Sequence, residues 1–99
     1  MKIYFSTSGG LMGILNNHVM IDSDTFSEKE KYQFENLIRH SDFFNLQSDR
    51  PPTHGAADYI NYSISIEDGK QKHTVKTNDV TMSSQLEPVI RFLQNKIRK

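Results

Sequence analysis

Between residues 59 and 77 the chain alternates apolar and polar side chains on both sides of an Asp68-Gly69 pair. A strand points successive side chains to opposite faces, so this pattern spells two half-buried strands joined by a tight turn. Asp-Gly suits the two left-handed positions of a type I′ hairpin. Setting Glu67 opposite Lys70 pairs Ile64 with His73 and Tyr62 with Val75. Ile60, Tyr62, Ile64, Ile66, His73, Val75 and Thr77 then share one face, and Ser63, Ser65, Lys72, Thr74 and Lys76 share the other, which faces water.

The same period opens the chain. Over residues 2–7, Ile3, Phe5 and Thr7 fall on one side and Lys2, Tyr4 and Ser6 on the other. Residues 14–22 read as a second strand, with Leu15, Val19 and Ile21 facing inward and a bulge expected at Asn16-Asn17, where the alternation falters. Ser27 and Glu30 then form a capping box for a first helix. Phe34, Leu37 and Ile38 make its apolar stripe, and it ends between His40 and Asp42. Phe43, Phe44 and Leu46 follow as an apolar plug. Residues 45–58 are irregular, because Pro51-Pro52 and Gly55 resist both helix and central strand. A loop of that length in a small domain is uncommon and often functional. A last helix is expected over 85–99, capped by Ser84 and Glu87, with Pro88 in its first turn. Leu86, Ile90, Leu93 and Ile97 form its stripe, flanked by Val89 and Phe92. The order β-β-α-β-β-α predicts an α+β fold, a four-stranded antiparallel sheet with two helices packed on one face.

With 99 residues the chain forms one domain, spanning 1–99. It has no cysteine, which removes disulfides and thiolate metal sites. Twelve basic residues balance twelve acidic ones. That argues against nucleic acid, which needs a concentrated basic face, and against an anionic membrane surface. No stretch approaches the roughly 20 apolar residues of a membrane span. The opening apolar run breaks at Ser6-Thr7-Ser8, too early for a signal-peptide core, so a cytoplasmic protein is expected, unless it is exported by a route with no cleavable signal.

Residues with chemistry are scattered. His18, His40, His54 and His73 lack the spacing of paired metal ligands, and no metal or cofactor is expected. His73 sits on the apolar hairpin face, where a hydrogen-bonded structural histidine fits better than a ligand. There is no Gly-x-Ser-x-Gly elbow. His54 and Asp58 lie close enough to pair in a cleft, but an Asp in an irregular loop more often satisfies backbone groups.

One segment is harder to explain by folding alone. Ser8-Gly9-Gly10-Leu11-Met12-Gly13 places two large apolar side chains between glycines. Glycine tolerates positive φ and close backbone approach, so the segment is either a hairpin connector or a surface that another protein reads. It precedes a strand ending at Asp22. Further on come Asp42-Phe43-Phe44-Asn45-Leu46, then Gly55-Ala56-Ala57-Asp58-Tyr59, then the hairpin strand from Tyr62 to Gly69, then His73-Thr74-Val75 and the Leu86-centred helix. In that order and spacing the chain resembles the emfourin family, small proteins that inhibit protealysin-like, thermolysin-type metalloproteases. The pattern departs around the glycine pair, with Thr7-Ser8 before it and Leu11 after it, positions that bear on target preference.

The resemblance implies a protease partner and no catalysis. It implies that the glycine loop (Ser8, Gly9, Gly10, Leu11, Met12 and Gly13), with Pro52 and His54 beside it, occupies the cleft of a thermolysin-type enzyme. Such enzymes cleave before large apolar residues, so Leu11 or Met12 suits the pocket beyond the scissile bond. A monomer is expected for the free protein. The alternatives are an adaptor that binds another protein by its sheet edge or long loop, and a small hydrolase using His54 and Asp58.

Overall fold

The computed structural model describes residues 1–9, 15–48 and 59–97. Four strands, β1 (Lys2–Gly9), β2 (Leu15–Asp22), β3 (Ile60–Asp68) and β4 (Gln71–Asn78), form one antiparallel sheet in the order β2-β1-β3-β4. Two helices, α1 (Glu28–Ser41) and α2 (Glu87–Ile97), cover one face. This is the expected α+β architecture.

The core is built from the inward parity of each strand. Ile3 and Phe5 of β1, Tyr62, Ile64 and Ile66 of β3 and Val75 of β4 are buried. They meet Phe34 and Ile38 of α1 and Val89, Ile90 and Leu93 of α2. Aromatic rings knit the helices together. Phe34 meets Phe26 edge-on at 5.9 Å and lies 5.4 Å from Phe92. Phe43 is buried in a short 3₁₀ turn, Phe43–Asn45, so the expected plug is present.

Helix α1 starts as its sequence dictates. Ser27 Oγ accepts from Glu30 N at 3.2 Å, and the Glu30 carboxylate accepts from Ser27 N, satisfying two donors that have no intrahelical partner. Asp42 ends the helix in the left-handed region, φ 55°, where a short polar side chain is tolerated.

Three expectations need correction. The hairpin register differs by two: Asp68 pairs with Gln71, Ile66 with His73, Ile64 with Val75 and Tyr62 with Thr77. Gly69 and Lys70 are therefore the turn residues. Gly69 alone takes positive φ, 61°, the sign pattern of a type II′ turn with glycine first. A shift of two leaves every side chain on its assigned face, since the strand period is two. Second, β2 pairs with β1 through eight consecutive partners from Lys2↔Asp22 to Gly9↔Leu15, without a bulge at Asn16-Asn17. The polar pair sits in regular strand at the sheet edge, where Asn17 is exposed. Third, α2 begins at Glu87, and Ser83 rather than Ser84 supports its entry, its Oγ accepting from Leu86 N at 3.3 Å. Pro88 does lie in the first turn. Val89 belongs to the core, whereas Ile97 at the helix end is exposed.

Candidate functional site

All four strands have a terminus at one end of the sheet, where Leu15, Gly9 and Ile60 lie in register and Asn78 pairs with Asn61, one residue further along β3. Gly9 is the pivot. It pairs with Leu15 on one side and Ile60 on the other. Its φ is 93°, and a Cβ there would lie 2.7 Å from Tyr59 O and 3.3 Å from Asn61 Nδ2. The position thus demands glycine twice, for its dihedral and for the close approach of the neighbouring backbone. Strand β1 runs through Gly9, two residues beyond the alternation that marks it in the sequence.

Two chain connections have anchor residues at this end. Residues 10–14 join Gly9 to Leu15, and residues 49–58 join Ser48 to Tyr59. Ser48 is itself fixed near this end, because its Oγ accepts from Lys76 N at 2.9 Å. Ile60 is braced from below. Its N–H donates to Asp79 Oδ1 at 3.0 Å, and Asp79 N–H returns a bond to Ile60 O at 3.1 Å. Buried Asn78 holds the next turn, its Oδ1 accepting from Val80 N and Thr81 N, both at 2.9 Å. The anchors of both connections therefore rest on a rigid, hydrogen-bonded platform.

Of the site residues expected from sequence, Ser8 is exposed on the last turn of the β1 ladder and Gly9 is the pivot just described. Gly10, Leu11, Met12, Gly13, Pro52 and His54 lie outside the described residues, as does Asp58. Asp79 and Asn78 went unnoticed as supports in the sequence. An Asn-Asp pair closing a strand is a turn signal that could have marked them.

The remaining histidines have structural or solvent-facing places. His73 Nε2 donates to Leu46 O at 2.6 Å and meets Phe43 edge-on at 5.7 Å, the structural role its apolar face suggested. His40 Nδ1 donates to Asn36 O at 2.7 Å within α1, and His18 is exposed on β2. Among the described residues the perturbed charges lie away from this end. The Lys96 ammonium, and then the Ser27 backbone amide, hold the Glu30 carboxyl below its ordinary range. Lys31 does the same for Asp24. No helix of the described residues is long and apolar enough to cross a membrane.

The sequence model of the emfourin family matches residues 5–94, nearly the whole chain. The chain belongs to the emfourin family. Membership carries a protease-inhibitor role at the level of the family. The match takes in both connections and their anchors Gly9, Leu15, Ser48 and Ile60. No curated protein and no solved structure matches the chain significantly.

Proposed function

We propose that this member of the emfourin family inhibits a protealysin-like, thermolysin-type zinc metalloprotease by seating its glycine loop in the enzyme's cleft. Ser8 to Gly13 form the inserted tip, with Pro52 and His54 of the neighbouring connection beside it. Leu11 or Met12 fills the pocket for a large apolar residue, and the flanking glycines keep the backbone slim. Apolar anchors that become desolvated dominate the affinity of such contacts. The chain performs no chemistry of its own, and in the free state it is a cytoplasmic monomer.

The observation that carries this reading is the pairing of Gly9 with both Leu15 and Ile60, which sets the ends of the two connections side by side. A tip held on a stiff sheet loses less freedom on binding than one on a loose chain. Mixing the purified protein with a protealysin-like protease and a peptide substrate tests the reading directly. Dose-dependent loss of proteolysis is expected. Full proteolysis at saturating protein would favour a non-inhibitory adaptor. Substrate turnover by the protein alone that His54→Ala abolishes would favour the small-hydrolase alternative instead.

A further inference from the structure

The two edges of the sheet are finished differently. Along β4, Lys76 N–H is occupied by Ser48 Oγ and His73 Nε2 holds Leu46 O, so residues 46–48 lie against that edge. Lys72 and Lys76 add exposed charge. Both are devices that keep foreign strands away. β2 has neither. Among the described residues it pairs with β1 alone, over eight unbroken positions. It contains no Lys, Arg or Pro, and its one acidic residue, Asp22, is its last.

β2 also overhangs the helix layer. Phe5 and Ile3 are 3% and 0% exposed, yet their cross-strand partners Val19 and Ile21 are only half-buried. On the other face Met20 is 68% exposed opposite Tyr4. With His18, Ser63 and Ser65 these two line a groove of about 460 Å³. Among the described residues the strand is thus unpaired on its outer edge and incompletely covered on both faces.

We propose that the free edge of β2 takes up an extended segment of the inhibited protease as a fifth strand of the sheet. This rests on the inhibitor reading and deepens it. β2 starts at Leu15, immediately after the 10–14 connection, so an enzyme gripping that tip meets this edge next. Main-chain hydrogen bonds supply the attraction, as in other strand-addition complexes. The incoming segment covers Val19 and Ile21 on one side and Met20 on the other. At about 3.4 Å per residue the edge is long enough for a typical strand of five or six residues.

Amide hydrogen exchange of the full chain, with and without a protealysin-like protease, tests this together with inhibition by Met20→Lys and Met20→Glu. Slowed exchange across β2 in the complex is expected. Both variants should inhibit at least tenfold more weakly with unchanged thermal midpoints. Opposite charges exclude a long-range electrostatic effect, which would strengthen one variant and weaken the other. Wild-type inhibition with unaltered β2 exchange, or with both variants as potent as wild type, overturns the fifth strand and leaves the inhibitor reading standing. Concentration-dependent slowing of β2 without protease overturns it too, assigning the edge to a second copy. A wild type that fails to inhibit overturns the inhibitor reading itself.

Discussion

Gly9 shows how one residue links the fold to the proposed site. Alanine there would force its Cβ to 2.7 Å from Tyr59 O and hold a non-glycine residue at φ 93°. Backbone strain of this kind costs about 1–3 kcal/mol, so Gly9→Ala should lower stability in urea by that amount. It should also weaken inhibition, because relief of the clash must move β1 away from the start of β3. A variant as stable as wild type would show that the close approach is unimportant. The glycine pair stands out in the sequence, but the reason for Gly9 does not. The atom that forbids a side chain belongs to Tyr59, on a strand that becomes a neighbour only after folding. In the core, Phe34 touches Phe26 and Phe92 and has no exposed surface. Phe34→Ala should cost about 3–5 kcal/mol, a large share of the stability of a domain this size.

Among the elements, α1 was the most legible, because a capping box is local chemistry read within four residues. Ser27→Ala should cost about 1 kcal/mol, measurable by chemical denaturation. The tie between α1 and α2 was not legible. Lys96 reaches Glu30 Oε2 at 2.9 Å and lies 4.6 Å over the Phe26 ring, partners distant in sequence. Because this tie lowers the Glu30 pKa, its stabilisation is present above the unfolded value near 4.5 and is lost as pH falls through the lower folded value. Glu30→Gln should therefore melt below wild type at neutral pH, with the gap closing below pH 4.5 or so. A gap independent of pH would assign the loss to packing instead. The hairpin shows the opposite limit. Side-chain alternation set which residues face the core, and parity survives a two-residue slip. The register itself depended on whether the turn used Asp68-Gly69 or Gly69-Lys70, a choice the Asp-Gly pair alone did not decide.

For the whole molecule, alternation and two helical stripes were enough to give the α+β class and the covered sheet face. The strand order was beyond them, since pairing β1 with β3 joins segments separated by a helix and the long connection. That pairing sets Gly9, which leads into one candidate connection, beside Ile60, which follows the other, and the proposed site depends on it. The helices use one face and residues 46–48 use one edge. Among the described residues the outer edge of β2 carries no further strand. The central claim is that Leu11 and Met12 supply the anchor. Inhibition constants against a protealysin-like protease, for wild type and for Leu11→Ala combined with Met12→Ala, test it most directly. The account predicts at least a tenfold weaker constant for the double variant, about 1.4 kcal/mol or more, with the thermal midpoint unchanged. Equal inhibition by the two proteins would contradict it and place the contact elsewhere on the surface.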